Sequence, residues 1–217
     1  MNQKILNQLI LDLGKGEITP EYIKSTFDID LGKKYNNVEQ YARAIDDAVL
    51  HRYFSKVWQG DMKKWKHSGL QLIDEVNKLR PRNVLDVGCG YNEFKGKINF
   101  LTGIDPYNDN ADIRINTIDY KPTEKFDVIL CLGSINFGSQ SKIETEVAHC
   151  ASLLEQDGIM FFRVNPGVPH DKPESKWIDF FSWNVPFIIE LANKLNLKVL
   201  DIRDDTNKRK YFVYRKI

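Results

Sequence analysis

The sequence has few cysteines, no long apolar run and almost no net charge. Three cysteines occur in 217 residues, and no two of them have the CxxC spacing that is typical of zinc or redox sites. This pattern indicates neither a disulfide framework nor a metal site. Free cysteines are typical of reducing compartments, so we expect a cytoplasmic protein without a bound metal.

The missing apolar runs and the balanced charge exclude further classes. No segment approaches the roughly 20 apolar residues that a membrane helix needs. Asn7, Gln8 and Asp12 interrupt the N-terminal segment, so it lacks the apolar block of a secretory signal. The 31 basic and 30 acidic residues give a formal net charge of +1, which does not favour a nucleic-acid partner. We expect no membrane partner.

Helical periodicity dominates the first part of the chain, and alternating strands dominate the rest. We predict a helical extension or cap over residues 1–69 and an α/β domain over residues 70–217. The domain is predicted to contain a mostly parallel, seven-stranded sheet with an antiparallel last strand. The predicted strands are Arg82–Val87, Phe100–Asp105, Ile113–Ile118, Phe126–Leu132, Ile159–Val164, Leu197–Arg203 and Lys210–Tyr214. Basic residues around the last strand are typical of a sheet edge.

Two helices are predicted within the α/β domain. Ser141 and Glu144 have the spacing of a capping box, and the apolar stripe that follows ends near Leu154. Asn184 and Pro186 indicate the start of a second helix, which runs to about Leu195.

The stretch NVLDVGCGYN, residues 83–92, joins a buried strand to a glycine-rich turn. Gly88 and Gly90 permit backbone angles, and a close approach to a ligand, that other residues prevent. The stretch lacks the third glycine of the dinucleotide pattern GxGxxG, and Asp86 would repel a pyrophosphate. A carboxylate here suits a cationic ligand, such as a sulfonium cofactor with a free amino group.

This stretch resembles the first motif of class I S-adenosylmethionine-dependent methyltransferases, D/E-x-G-x-G-x-G. Four further segments resemble later strands and turns of that family and occur in its order: LTGIDP, TIDY, FDVILCLGSINF and LLEQDGIMFFRV. The resemblance covers about residues 70–217. It implies a Rossmann-like fold, S-adenosylmethionine as the cofactor and methyl transfer as the reaction.

The resemblance also implies site residues. Asp105 would bind the ribose hydroxyls, and Ile118 and Asp119 would contact the adenine. The full set implied for the cofactor is Asp86, Gly88, Cys89, Gly90, Asp105, Ile118, Asp119, Leu132 and Gly133. Candidate substrate residues after the fourth and fifth strands are Ser134, Asn136, Asn165 and His170. No catalytic residue is assigned, because methyl transfer needs a general base only when the nucleophile arrives protonated.

Three features depart from the family pattern. Asn92 stands in place of the third glycine, although Asn tolerates left-handed backbone better than most residues. The connections PYNDNAD and DYKPTEK are too short for crossover helices, which normally need a dozen residues or more. We therefore expect one edge of the sheet to be uncovered, or covered by the N-terminal helices.

A small molecule is the predicted methyl acceptor, with the N-terminal helices as its cap. Two other functions stay open: methylation of RNA or protein, and cofactor binding without catalysis in a scaffold protein. The basic, aromatic residues 51–69 could stack on nucleic acid, but the balanced charge favours a lid with Tyr53, Trp58 and Trp65 facing inward. The aromatic residues 177–187 are consistent with a substrate wall, a homodimer contact or plain core.

Overall fold

The N-terminal part of the chain is helical, as predicted. The computed structural model describes residues 2–14, 16–58 and 60–217. Its elements begin with α1 (Gln3–Leu13), α2 (Pro20–Phe27), α3 (Val38–Arg52), a π-helical turn (Tyr53–Val57) that continues α3, and α4 (Leu70–Lys78). Asn2, Thr19 and Asn37 cap the first three helices, because their side chains accept backbone N–H groups of the first turn.

A six-stranded sheet forms the centre of the remaining chain. The strands are β1 (Val84–Val87), β2 (Leu101–Ile104), β3 (Phe126–Leu132), β4 (Leu154–Val164), β5 (Leu197–Asp204) and β6 (Lys210–Lys216). Their order across the sheet is β2-β1-β3-β4-β6-β5. Neighbours among β1–β4 are parallel, and β6 is antiparallel to both β4 and β5. The helices of this part are α5 (Gln140–Leu153) and α6 (Val185–Lys194).

The predicted strand Ile113–Ile118 is wrong. A single parallel bridge links Ile113 to β2, and Thr117–Asp119 form a 3-10 turn. The backbone N–H of Asp112 donates to the carbonyl oxygen of Gly103 at 2.9 Å. The chain therefore returns to β2 after a short turn. A further parallel strand would require a longer crossover, so β2 forms the edge of the sheet.

The last strand is antiparallel, as predicted, but its predicted place at an edge is wrong. β6 lies between β4 and β5, and β5 forms that edge of the sheet. Phe212 and Tyr214 of β6 are fully buried, as in an interior strand. The start of α5 also differs from the prediction, because Ser139 rather than Ser141 accepts the backbone N–H of Lys142.

Apolar contacts hold the elements in three clusters. Helices α5 and α6 pack on one face of the sheet. Helix α4 packs in another cluster with Phe94 and Ile98, which belong to the turns that connect β1 to β2. Helices α1–α3 form a third cluster, which includes Ile178 and Phe180. The core of the N-terminal helices is thus completed by a later part of the chain.

Candidate active site

A cavity of about 1170 Å³ opens at the carboxyl ends of the parallel strands. The loops after β1–β4 line it on one side, and α3 with its π-helical turn lines it on another. Ligands of open α/β sheets bind beyond the carboxyl ends of the strands. Pockets for drug-sized ligands measure about 300–1,000 Å³, so this cavity can hold a cofactor together with a small substrate.

The glycine loop after β1 has the left-handed backbone for which glycine is suited. Gly88 and Gly90 have φ angles of +65° and +54°. A Cβ on Gly88 would lie 2.3 Å from the Cβ of Ser134, so a side chain there would displace the loop after β3. Both glycines line the cavity, where their backbone can approach a ligand closely.

Asn92 takes the place of the third glycine and keeps the left-handed backbone, with a φ of 55°. Its Nδ2 donates to the carbonyl oxygen of Asn110 at 3.0 Å. Its Oδ1 fills the space beside Gly103, where a Cβ would be only 2.6 Å away. The asparagine therefore bonds the glycine loop to the loop after β2, which a third glycine would not do.

Two carboxylates lie at neighbouring strand ends. Asp86 is 3% exposed, and burial, together with the nearby charge of Asp105, raises its pKa to about 7. Asp105 accepts backbone N–H groups from Gly90 (3.0 Å), Tyr107 (2.7 Å) and Asn108 (3.0 Å). Asp105 lines the cavity, and Asp86 lines a small recess that shares walls with it. A cation in this place would favour the charged form of Asp86.

The structure brings most of the implied site residues together. Those that line the cavity are Gly88, Gly90, Asp105, Ile118, Leu132, Gly133, Ser134, Asn165 and His170. Cys89 lines the recess together with Asp86. Asp119 is exposed and lines neither the cavity nor the recess.

The prediction that Asn136 faces a substrate is not supported by its position. Asn136 is 1% exposed and lies outside the cavity wall. Its Oδ1 accepts the backbone N–H of Asn165 at 2.8 Å, so the side chain joins the loops after β3 and β4. This contact of Oδ1 is structural, while Nδ2 has no hydrogen-bond partner in the part of the chain that the structure describes.

His170 is held between two polar side chains. Tyr53 Oη lies 2.8 Å from its Nδ1, and Arg209 Nη2 lies 2.8 Å from its Nε2. Arginine only donates, so Nε2 accepts, while Nδ1 carries the proton and donates to Tyr53. Burial, followed by the charges of Arg209 and Arg163, lowers the pKa of His170 to about 4. His170 is therefore neutral at pH 7, and its lone pair is already engaged.

Sequence reasoning missed Arg163 and Arg209, which both line the cavity. Arg163 stands in the apolar run GIMFFRV, and charged residues are seldom fully buried without a partner. That signal could have marked Arg163 as a site residue. Arg209 carries no such signal, because it belongs to the basic stretch NKRK, which reads as solvated surface.

The lid interpretation of residues 51–69 agrees with the side-chain positions. Tyr53, Trp58 and Trp65 line the cavity, whereas Lys56, Lys63 and Lys66 are exposed and lie outside its lining. The indole of Trp58 lies over the glycine loop, since a Cβ on Gly90 would be 3.3 Å from the ring. The aromatic rings therefore face a ligand site rather than the surface.

Residues 177–187 pack as core. Ile178, Phe180, Trp183 and Phe187 are buried, and no residue of this segment lines the cavity. The indole Nε1 of Trp183 donates to the carbonyl oxygen of Ile135 at 3.0 Å. These contacts favour the plain-core interpretation over a substrate wall.

In the described part of the chain, no group of three or more His, Cys, Asp and Glu side chains is placed to hold a metal ion. None of the helices described there combines the length and the apolar character that crossing a bilayer requires.

The fold is similar to solved structures of methyltransferases. One is the 1,6-didemethyltoxoflavin-N1-methyltransferase of Burkholderia thailandensis with bound 1,6-didemethyltoxoflavin and S-adenosylhomocysteine: the TM-score is 0.60 and the identity 16%, over 85% of this chain and 92% of that one. A second is the magnesium protoporphyrin IX methyltransferase of Synechocystis with bound S-adenosylhomocysteine. Its TM-score is 0.58 and its identity 12%, over 79% of this chain and 100% of that one. A third is the N-methyltransferase NodS of Bradyrhizobium japonicum. Its TM-score is 0.52 and its identity 14%, over 70% of this chain and 93% of that one.

No protein-family model matches the sequence, and no curated protein has significant sequence similarity to it. The structural similarities show that the chain has the Rossmann-like fold of class I methyltransferases.

Proposed function

We propose that this chain, which has the Rossmann-like methyltransferase fold, is an S-adenosylmethionine-dependent methyltransferase that acts on a small molecule. The observation that carries the proposal is the meeting of the glycine loop with Asp86 and Asp105 at one end of the sheet. Similar folds contain S-adenosylhomocysteine, which is what S-adenosylmethionine becomes after methyl transfer.

The cofactor would extend along the carboxyl ends of β2, β1 and β3. Its amino group would lie near Asp86, its ribose hydroxyls on Asp105 and its adenine against Ile118. Asp105 already accepts three backbone N–H groups, and a carboxylate offers about four acceptor sites. We expect the ribose to use the remaining site and to replace one of these bonds. Asp119 follows Ile118 and would accept from the adenine amino group.

The reaction would be an in-line displacement at the sulfonium methyl group. The chain must align the nucleophile with the methyl carbon and exclude water, which α3 and the inward-facing rings of Tyr53, Trp58 and Trp65 can do. His170 is neutral, but its lone pair accepts from Arg209. We therefore expect an acceptor that reaches the cavity with a free lone pair and needs no general base.

The inward position of the aromatic rings supports a small acceptor over RNA. The aromatic rings of residues 51–69 that could stack on bases line the cavity. A single-stranded nucleic acid needs such rings beside an open, basic groove.

Isothermal titration of the full chain with S-adenosylhomocysteine tests the proposed cofactor. We expect one site per chain, and no binding of NAD, whose pyrophosphate Asp86 would repel. Absence of S-adenosylhomocysteine binding would contradict the proposal. Salt-dependent binding of RNA oligonucleotides that is as tight as the binding of S-adenosylhomocysteine would favour the RNA alternative instead.

A further inference from the structure

Two arginines face one part of the cavity, and within the described residues only Arg163 of the two forms an ion pair with a buried carboxylate. Arg163 is 5% exposed, its Nε lies 3.4 Å from Asp205 Oδ2, and its guanidinium lies 4.8 Å from the ring centre of Trp65. Asp205 also accepts from the Ser68 hydroxyl at 2.7 Å and from the Lys66 backbone N–H at 2.8 Å. These donors are neutral, so Asp205 keeps one negative charge, which can balance only one of the two guanidinium groups.

Arg209 has no such partner. Its Nη2 donates to the neutral ring of His170, and among the described residues no carboxylate forms an ion pair with it. Tyr211 lies opposite Arg163 in the pairing of β4 with β6. Arg209 comes two residues before Tyr211, so it lies on the same face of the sheet as Arg163. The two residues, termed here the arginine pair, thus keep an excess positive charge at the cavity wall.

The surrounding segments do not cancel this charge. Near the arginine pair, three further basic residues line the cavity, Lys64, Lys172 and Lys208. Two acidic residues line the same part, Asp61 and Asp171. His170 adds no positive charge, because it is neutral and accepts from Arg209. Its place between Tyr53 and Arg209 instead orients the guanidinium.

The arginine pair also lies near the point at which methyl transfer is expected. A Cβ on Gly133 would be 4.0 Å from Arg209 Nη1, and Gly133 begins the loop after β3. The carboxylates Asp86 and Asp105 lie at β1 and β2, whereas Arg163 belongs to β4 and Arg209 immediately precedes β6. The cavity therefore has an acidic side, suited to a cationic cofactor, and a separate basic side.

We propose that the arginine pair binds an anionic group, a carboxylate or a phosphate, of the methyl acceptor, so that the substrate is a small acidic molecule. This inference rests on the proposed methyltransferase function. A guanidinium donates two parallel hydrogen bonds to the oxygens of a carboxylate or phosphate, which gives both affinity and orientation. Arg209 is the residue that selects the substrate, because its charge is unmatched, and Arg163 supports it.

Titration of the full-length protein with benzoate, with inorganic phosphate and with neutral benzamide tests this inference. Loss of a bidentate charged contact costs about 1.5–3 kcal/mol, or roughly ten- to a hundredfold in affinity. We expect Arg209→Gln to weaken binding of the preferred anion at least tenfold. Arg209→Lys should lose part of the affinity. Arg203→Gln removes the same charge from exposed β5 and should change the affinity less than twofold. Stronger binding of benzoate or of phosphate identifies the anionic group.

Parallel titrations with S-adenosylhomocysteine separate this inference from the proposed function. We expect Arg209→Gln to bind S-adenosylhomocysteine like the wild type, which also shows that the variant is folded. Equal loss of S-adenosylhomocysteine and benzoate affinity in both Arg209 variants would overturn the inference, because the arginine would then serve the cofactor or the fold. Wild-type binding of benzamide as tight as that of both anions would also overturn it. Anion binding without S-adenosylhomocysteine binding would instead contradict the proposed function and leave the anion site in place.

Discussion

The carboxylate of Asp86 lies where ionisation is costly. It is buried at the end of β1 beside Asp105, and its pKa is raised to about 7. The ordinary pKa of the group is 3.8, so between about pH 4 and pH 7 the folded state binds more protons than the unfolded state. The stability of the protein therefore falls as the pH rises through this range. Such a raised pKa in a cleft is typical of a functional group.

Replacing the carboxylate by an amide should remove this penalty. We expect Asp86→Asn to raise the free energy of unfolding at pH 8, and the gain to shrink toward pH 4, where the wild-type carboxyl is protonated. Urea unfolding at several pH values measures the difference. Asp109→Asn makes the same change at an exposed carboxylate and serves as the control. A less stable Asp86→Asn at pH 8 would contradict the raised pKa.

The two carboxylates should each contribute to cofactor binding. We expect Asp86→Ala and Asp105→Ala each to weaken S-adenosylmethionine binding by more than about tenfold, because losing a hydrogen bond to a charged group costs about 1.5–3 kcal/mol. Isothermal titration measures the affinities, with Asp109→Ala as the control. Circular dichroism checks the fold of Asp105→Ala, since Asp105 also holds three backbone N–H groups. Unchanged affinity in both variants would refute the proposed site.

At the scale of elements, the glycine loop depends on the loop after β3. Gly88 has a left-handed backbone, and its Cα faces the Cβ of Ser134 across a gap that a methyl group cannot enter. The glycine pattern predicted the backbone from local residues alone. The contact with Ser134 could not be predicted, because it depends on how β1 and β3 pair in the sheet.

A pair of substitutions separates the two reasons for glycine at position 88. We expect Gly88→Ala to lower the free energy of unfolding by at least about 2 kcal/mol, because the left-handed backbone alone costs an L-residue about 1–2 kcal/mol and the contact adds to it. Adding Ser134→Gly should restore part of the loss, since it removes the contact but not the backbone strain. Denaturant unfolding of the single and double variants measures the free-energy cost of the backbone strain and that of the contact with Ser134. Full restoration, or none, would show that only one reason applies.

The apolar runs of the sheet could be predicted well, and the edge could not. The bounds Phe126–Leu132 of β3 agree with the prediction, because a strand buried on both faces has an uninterrupted apolar run. Residues 113–118 also begin with apolar residues at alternate positions, Ile113 and Ile115, but Ile113 and the following Ile118 are 39% and 48% exposed. Alternation predicts a strand only where a partner runs alongside the whole segment, and in the described chain only Ile113 of this segment forms a bridge to β2.

For the whole molecule, contacts between the N-terminal helices and residues 177–180 hold α3 over the cavity. The rings of Phe27 and Trp177 lie 4.7 Å apart. Asn2 Nδ2 donates to the Trp177 carbonyl oxygen at 2.6 Å, and Lys4 Nζ donates to that of Ile178 at 3.0 Å. The N-terminal helices and the segment between β4 and α6 are therefore joined by direct contacts.

A double-mutant cycle tests whether this contact couples the two parts of the chain. Phe27→Ala and Trp177→Ala should each destabilise the protein, and the double variant should lose less than the sum, by about 0.5–1.5 kcal/mol, as for other aromatic pairs. Thermal and urea unfolding measure the three variants against the wild type. A strictly additive double variant would show that the rings do not interact energetically.

The sequence by itself determined the helical N-terminal part, the positions of most strands along the chain, the glycine loop and the carboxylates Asp86 and Asp105. These features follow from spacing along the chain, since helical periodicity, apolar runs and turn residues act between near neighbours. Only the tertiary structure decided which polar groups meet. Arg163, His170 and Arg209 carry no common motif, and the pairing of β4 with β6 brings them together. The charge of that side of the cavity, and so the acceptor that it can bind, depends on contacts distant in the chain.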